Sequence, residues 1–470
     1  MNVSELVARA RKAQRALEDL DQEQVDDIVT AVAWVGVKNA EALAKLAVEE
    51  TGLGNVADKM KKNHRKTMGT LRDLRGAKSV GVIKDDPATG ITEIAKPVGV
   101  VGAITPVTNP AATPLNNIMI TLKGRNAVIL APHPKADGTC VELVRLVHAE
   151  LDKLRVPRDA VQRLSLKAKD KQESKARTQA LMEQVDLVVV TAGPASVRAA
   201  YCSGTPALGV GRGNAPVVID ASADINDAAD KILRSATFDN ATSCSSENAL
   251  VIESAIYDKV VDALRARGGY FVAAEERALL EKALWKDGVL NREAVAQSPK
   301  VIAELAGITN PKAASARLLL VEEEGIGAEF PFSGEKIAPV VALYRFDAFD
   351  DALDIVERIL DYQGLGHSVG IHTENAAHID RLAHRMKVCR VLVNQAHCIG
   401  NGGDFENGLD FTLSLAAGTW GGNSTSDNIT YKHFLNITRI ARPIPAAPPS
   451  EEELFGDYLK RFRDHEPHEY

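Results

Sequence analysis

From residue 98 onward short apolar runs alternate with helical stretches, and this alternation limits the fold more than any other feature of the chain. Residues 98–104, 127–130, 161–166 and 185–190 read as strands, and 113–122, 142–154, 171–184 and 195–201 as helices. A strand–helix repeat implies a parallel sheet with helices on both faces. The pattern resumes after residue 215, with strands expected at 217–219, 249–252, 318–321, 340–344, 368–372 and 391–394, and helices at 224–235, 256–267, 350–360 and 375–386. The expected class is therefore α/β, with two parallel-sheet domains. Ahead of them, residues 2 to about 75 place Leu6, Val7, Ala10, Ala13 and Leu17, then Val25, Ile28, Val29 and Val32, at helical spacing. Residues 80–97 break the pattern with a strand, the turn Asp85-Asp-Pro-Ala-Thr-Gly90 and a second strand, a hairpin. Residues 400–424 are rich in Gly, Asn and Ser and read as a long functional loop.

Composition excludes several classes. A formal net charge of −7 argues against a nucleic-acid surface. No run of 18 apolar residues occurs, so no membrane span is expected, and the N-terminus reads as an amphipathic helix rather than a signal peptide. Five widely spaced cysteines without a C-x-x-C pair suggest neither a metal site nor a disulfide framework. A reducing, cytoplasmic setting fits.

In parallel sheets ligands bind beyond the carboxyl ends of the strands, which directs attention to loops 105–110, 131–135 and 191–195. Thr105 and Pro106 open the first, as cofactor-binding candidates. Asn109 either presents its amide to a ligand or caps the following helix, a role Asn before Pro serves well. In Ala131-Pro-His-Pro-Lys135, His133 and Lys135 suit a phosphate or a ribose, or form a solvated basic turn. Gly193 precedes a helix and lets a dinucleotide approach its N-terminus. No G-x-G-x-x-G stands at any strand–helix turn, so the ordinary dinucleotide fingerprint is absent.

The chemistry centres on Asn240-Ala-Thr-Ser-Cys-Ser-Ser-Glu-Asn248, which sets Cys244 among small hydroxyl residues. A thiol on such a loop is accessible, and nearby backbone N–H groups favour its thiolate. His367 lies in the glycine-rich Gly364-Leu-Gly-His-Ser-Val-Gly370, a setting that tilts a lone histidine towards a site. Glu335, before a strand, suits ribose hydroxyls or is a surface charge. Arg212, in Leu208-Gly-Val-Gly-Arg-Gly-Asn214, either pairs with an anionic substrate or points to solvent.

Together these motifs resemble the aldehyde dehydrogenase superfamily, and its CoA-acylating branch in particular. The resemblance runs in order from about residue 5 to 440 and is similar to the sulfoacetaldehyde and succinate semialdehyde acylating enzymes, including Gly418-Thr-Trp-Gly-Gly-Asn-Ser424 near its end. It implies a cofactor-binding domain at 1–215 carrying an oligomerisation hairpin at about 80–97, a catalytic domain at 216–424, and a C-terminal oligomerisation segment and tail at 425–470. It implies NADP or NAD as cofactor, coenzyme A as co-substrate, a small aldehyde as substrate, and a homodimer or homotetramer. It makes Cys244 the nucleophile, Asn109 its oxyanion partner, Glu335 a contact for the nicotinamide ribose and His367 a weaker proton-transfer group. Hydrolytic relatives carry a general-base glutamate where this chain has Leu208-Gly-Val-Gly-Arg-Gly213, with no carboxylate. Without that base, an acyl-Cys244 thioester favours a thiol acceptor over water. The competing readings are a non-acylating dehydrogenase and an inert scaffold or shell-associated protein. CoA dependence separates the first, and the intact Cys244, Asn109 and Glu335 argue against the second.

Overall fold

The computed structural model describes residues 2–165 and 171–462. Its class is α/β, built on two parallel sheets. The first has five strands in the order Val161–Arg163, Ala127–Ala131, Val100–Ile104, Leu187–Val190 and Ala207–Gly209, every pair parallel. Side chains alternate between its faces. Val101, Ala103, Val128, Leu130 and Val189 pack with Ile28, Val32, Leu115 and Met119 on one side. Val100, Ile104, Ala127, Ile129 and Val188 pack with Leu6, Val7 and Leu181 on the other.

The second sheet has seven strands in the order Gly269–Phe271, Leu318–Glu322, Val340–Phe346, Glu247–Glu253, Ala215–Ile219, Val369–His372 and Val391–Val393. These too are parallel. Helix Phe349–Tyr362 covers one face through Ala352, Val356 and Ile359. Helices Ile225–Ala236 and Tyr257–Ala266 cover the other through Ile232, Leu233, Val260 and Leu264.

Four helices open the chain: Val3–Leu17, Gln22–Lys38, Ala40–Thr51 and Val56–Leu74. Asn2 and Asp21 start the first two with capping boxes, and Asn55 caps the fourth by accepting from the Asp58 N–H at 2.9 Å. Among the described residues no helix is long and apolar enough to cross a membrane.

The structure departs from the expectation in several places, among them strand Gly269–Phe271 and helices Ala274–Leu284 and Pro299–Ala306, where the sequence predicts no element. Ala207–Gly209 is an edge strand at the start of the glycine-rich stretch 208–214, where the sequence predicts no strand. Three residues paired on one side are too few to show a period. The strand expected at 161–166 ends at Arg163, and residue 166 lies outside the described residues. The hairpin Gly81–Asp86 and Ile91–Pro97 is joined by Leu435–Ala441, which pairs antiparallel along Ile91–Pro97. Part of the expected C-terminal segment 425–470 is thus the third strand of the hairpin's own sheet. Beyond it lies helix Glu451–Phe462, and 463–470 fall outside the described residues.

Candidate active site

Cys244 lies on the loop that enters strand Glu247–Glu253. Just before it, Asp239, Asn240 and Ala241 have φ of 51°, 51° and 58°. Left-handed backbone costs roughly 1–2 kcal/mol per residue that carries a Cβ, so something must hold the loop. The holder is Asp239, which is fully buried. Its carboxylate accepts from Lys59 Nζ at 2.9 Å, Lys62 Nζ at 2.7 Å, Thr242 Oγ1 at 2.7 Å and the Asn55 N–H at 2.9 Å. Burial alone would push this carboxyl up, but the two ammonium groups outweigh it and hold it below its usual range. Burial, with the neighbouring Lys62 charge, brings Lys59 down to about 8.

His367 Nε2 stands 3.3 Å from Cys244 Sγ. Gly364 and Gly366, with φ of 98° and 81°, carry the chain into this buried position. His367 Nδ1 is 2.7 Å from Ser368 Oγ, and Asn401 Nδ2 donates to that oxygen at 3.0 Å and to Ser245 Oγ at 2.9 Å. Arg390 donates to the carbonyls of His367 and Ala416 and to Asn428 Oδ1. Burial, then the positive field of Arg390, lowers the His367 pKa well below 6.5, so the ring is neutral at pH 7. The thiol contradicts the sequence-based expectation of a favoured thiolate. Burial first, and the Glu335 carboxylate second, push Cys244 up to about 11.

Asn109 does not cap the helix after it. That helix, Ala112–Lys123, starts at Ala111 without a side-chain cap. Instead Asn109 Oδ1 accepts from Lys62 Nζ at 2.7 Å. The same ammonium donates to Thr242 Oγ1 at 2.9 Å, two residues before the nucleophile. One lysine therefore links the loop leaving the first sheet to the loop entering the second.

Glu335 is mostly covered, its side chain 11% exposed, rather than a surface charge, and Arg212 Nε lies 3.6 Å from its Oε2. Burial pushes Glu335 up to about 7, with Arg212 opposing. Next to Arg212, a Cβ built on Gly213 would collide with the Cys244 carbonyl oxygen, so only glycine lets this loop approach the nucleophile so closely.

Thr105, Pro106, His133, Lys135 and Gly193 fall at the carboxyl ends of three adjacent strands of the first sheet. The Thr105 hydroxyl is buried without a partner. Gly193 opens helix Pro194–Tyr201 with no side-chain cap, and the space where its Cβ would stand is empty. His133 Nδ1 accepts from the Lys135 N–H at 3.1 Å, and the Lys135 side chain is exposed. An orphaned donor, an uncapped helix end and a cationic turn side by side fit a dinucleotide. No group of His, Cys, Asp and Glu among the described residues is placed to hold a metal.

A cleft of about 920 Å³ opens beside Asn109 and Ser243. Its wall includes Lys62, and neither Lys62, Asp239, Ser368 nor Asn401 stands out in the sequence. Their partners are distant in the chain, and lysines on an amphipathic helix read as a solvated face.

The fold and this site define an aldehyde dehydrogenase: that family's model matches residues 1–270, and the chain belongs to it. The chain is 52% identical over 461 residues to the acylating sulfoacetaldehyde dehydrogenase of Cupriavidus necator, covering 98% of this chain and 92% of that protein. It is 39% identical over 458 residues to the acetylating succinate-semialdehyde dehydrogenase of Clostridium kluyveri, covering 97% and 99%. It is also similar to the crystal structure of an acetylating aldehyde dehydrogenase from Geobacillus thermoglucosidasius, with a TM-score of 0.91 at 37% identity over 95% of this chain and 98% of that one.

Proposed function

We propose that this chain oxidises a short aldehyde with a terminal anion, sulfoacetaldehyde first and succinate semialdehyde next, and transfers the acyl group from Cys244 to coenzyme A. The carrying observation is Cys244 Sγ at 3.3 Å from a neutral imidazole, with no carboxylate in residues 208–213. The names of the relatives support the substrate.

As Sγ attacks the aldehyde carbon, His367 takes the thiol proton at Nε2, with its own ring proton on Nδ1 facing Ser368 Oγ. Lys62 occupies Asn109 Oδ1, and Asn109 Nδ2, which gives one hydrogen to Thr108 Oγ1 at 3.4 Å, keeps the other for the oxyanion. Thr105, Pro106, Lys135 and Gly193 hold the nicotinamide cofactor, with His133 fixing the Lys135 turn; when bound, it supplies the hydride acceptor. The oxyanion then collapses to a thioester on Cys244 as the aldehydic hydrogen leaves as hydride. His367 gives its Nε2 proton up to solvent, then takes the proton of the CoA thiol as that sulfur attacks the acyl carbon, and returns it to the Cys244 sulfur as it leaves. Lys135 is suited to a 2′-phosphate, so NADP is the first choice and NAD the second. We assign residues 1–215 to cofactor binding, 216–424 to catalysis, and the three-stranded sheet with the C-terminal tail to assembly of a homodimer or homotetramer.

The test is the reduced-cofactor trace at high enzyme concentration with aldehyde and cofactor but no CoA. The expected trace is a burst of roughly one equivalent per site and then a flat line, because the glutamate base of hydrolytic relatives, help to water worth about 10²–10⁴-fold, is absent from residues 208–213. A steady slope with free acid accumulating would overturn CoA transfer. It would favour hydrolysis, with His367 at 3.3 Å from Cys244 as the first base and Glu335, whose charge reaches Cys244, as the second.

A further inference from the structure

The cleft beside Asn109 and Ser243 carries seven lysine and arginine side chains against three carboxylates, in a chain whose net charge is −7. Its field therefore opposes that of the molecule as a whole. Lys62, Arg65 and Lys66 stand three and four residues apart on helix Val56–Leu74 and share one face. Arg234 comes from the last turn of helix Ile225–Ala236.

These cations are not equally free. Lys62 uses its donors on Asn109, Asp239 and Thr242. Lys66 donates to the Gly402 and Gly403 carbonyls at 2.8 and 3.1 Å. Lys61 lies 3.5 Å from Asp58. Arg65 pairs with Asp404 through one end of its guanidinium, and its Nε is buried without a partner. Arg234 has neither an ion pair nor a side-chain hydrogen bond among the described residues, and its charge bears repulsively on Arg65, against the larger attraction of Glu406 in the same wall. Two guanidinium groups that repel each other across a cleft gain when an anion sits between them, and planar donor forks match a sulfonate or carboxylate. Arg212, the arginine the sequence offers for this task, lies against Glu335 and does not line the cleft.

We propose that Arg65 and Arg234 are specificity-determining residues, which draw the anionic end of the aldehyde through this cleft towards Asn109 and Cys244. The inference rests on the proposed function and adds where the anion is read. Clefts of one charge sign raise encounter rates by about 10–10³-fold and lose that gain as salt screens them.

The experiment compares kcat/KM for sulfoacetaldehyde with that for propionaldehyde, a neutral aldehyde, at low and high ionic strength, in the wild type and in Arg234→Glu. Arg234 is exposed and unpaired among the described residues, so its replacement is the safest for the fold; Arg65→Gln is the second variant. The sulfoacetaldehyde-to-propionaldehyde ratio should fall about tenfold in Arg234→Glu, and salt should lower it in the wild type but much less in the variant. A ratio within twofold of wild type overturns the inference while leaving the proposed function standing. So does a rise in KM for CoA alone, which would assign these arginines to the phosphates of that co-substrate. A wild type that prefers propionaldehyde from the start overturns both.

Discussion

Replacing Lys62 by Met tests whether this lysine orients Asn109 or merely balances charge. Its ammonium donates at 2.7 Å to Asn109 Oδ1, 2.7 Å to Asp239 Oδ2 and 2.9 Å to Thr242 Oγ1. Met keeps the length and removes all three bonds. Breaking a buried ion pair costs about 3–5 kcal/mol, and the low end applies because a second cation stays on the carboxylate; that cation is Lys59, at 2.9 Å. The larger signature is kinetic. An oxyanion donor is worth about 10²–10³ in kcat. An Asn109 amide freed at its oxygen can turn the wrong end to the substrate, so Lys62→Met should lose about 10–10²-fold of that. The assay is kcat/KM for Lys62→Met, Asn109→Ala and the double variant, each checked by near-UV circular dichroism. If Lys62 acts through Asn109, the double variant is no slower than Asn109→Ala alone. If the two losses multiply, the orienting role is refuted.

Gly213→Ala places a Cβ on the Cys244 carbonyl oxygen; displacing the nucleophile by about 1 Å should cost on the order of 10²-fold in kcat, with far-UV circular dichroism unchanged, and a near-wild-type rate would show that the loop yields. With the thiol pushed up to about 11, and the thiolate as the reacting form, alkylation of Cys244 by iodoacetamide should accelerate about tenfold per pH unit from neutral upward; a plateau already reached at pH 8 would show the thiolate is stabilised after all. Glu335→Gln removes a negative charge that opposes the thiolate, so the same rise should begin at lower pH, and an unmoved profile would remove Glu335 from the electrostatics of the nucleophile.

The sequence carries the periodic parts of this fold well. The strands through Val100–Ile104 and Glu247–Glu253 are apolar runs long enough to recognise, and the helices between them show their faces. Ala207–Gly209 and Gly269–Phe271 are three residues each and carry no period. Leu435–Ala441 is mostly exposed, so burial imprints no pattern on it. The same division runs through the site. Cys244 and His367 announce themselves by local composition, and the structure brings them within 3.3 Å. Asp239 and Lys62 hydrogen-bond across a separation of 177 residues, and nothing within a short window distinguishes them from surface charges. Asn109 was ambiguous for a related reason: whether it caps its helix depends on where the helix starts, and boundaries are the least determined part of any pattern.

The clasp of Lys59 and Lys62 on Asp239 also sets an order of events in biosynthesis. Both lysines leave the ribosome long before the carboxylate they hold. A chain released after residue 215 alone would have the receiving lysines but no nucleophile. A fragment begun at residue 216 would have Cys244, His367 and Asp239, but no cation to keep a buried carboxylate charged or to hold three left-handed residues in place. Neither half can display an organised reactive thiol by itself. N-terminal regions fold first during synthesis, so the lysines are waiting when Asp239 arrives, and the thiol is set in place only as the two halves meet.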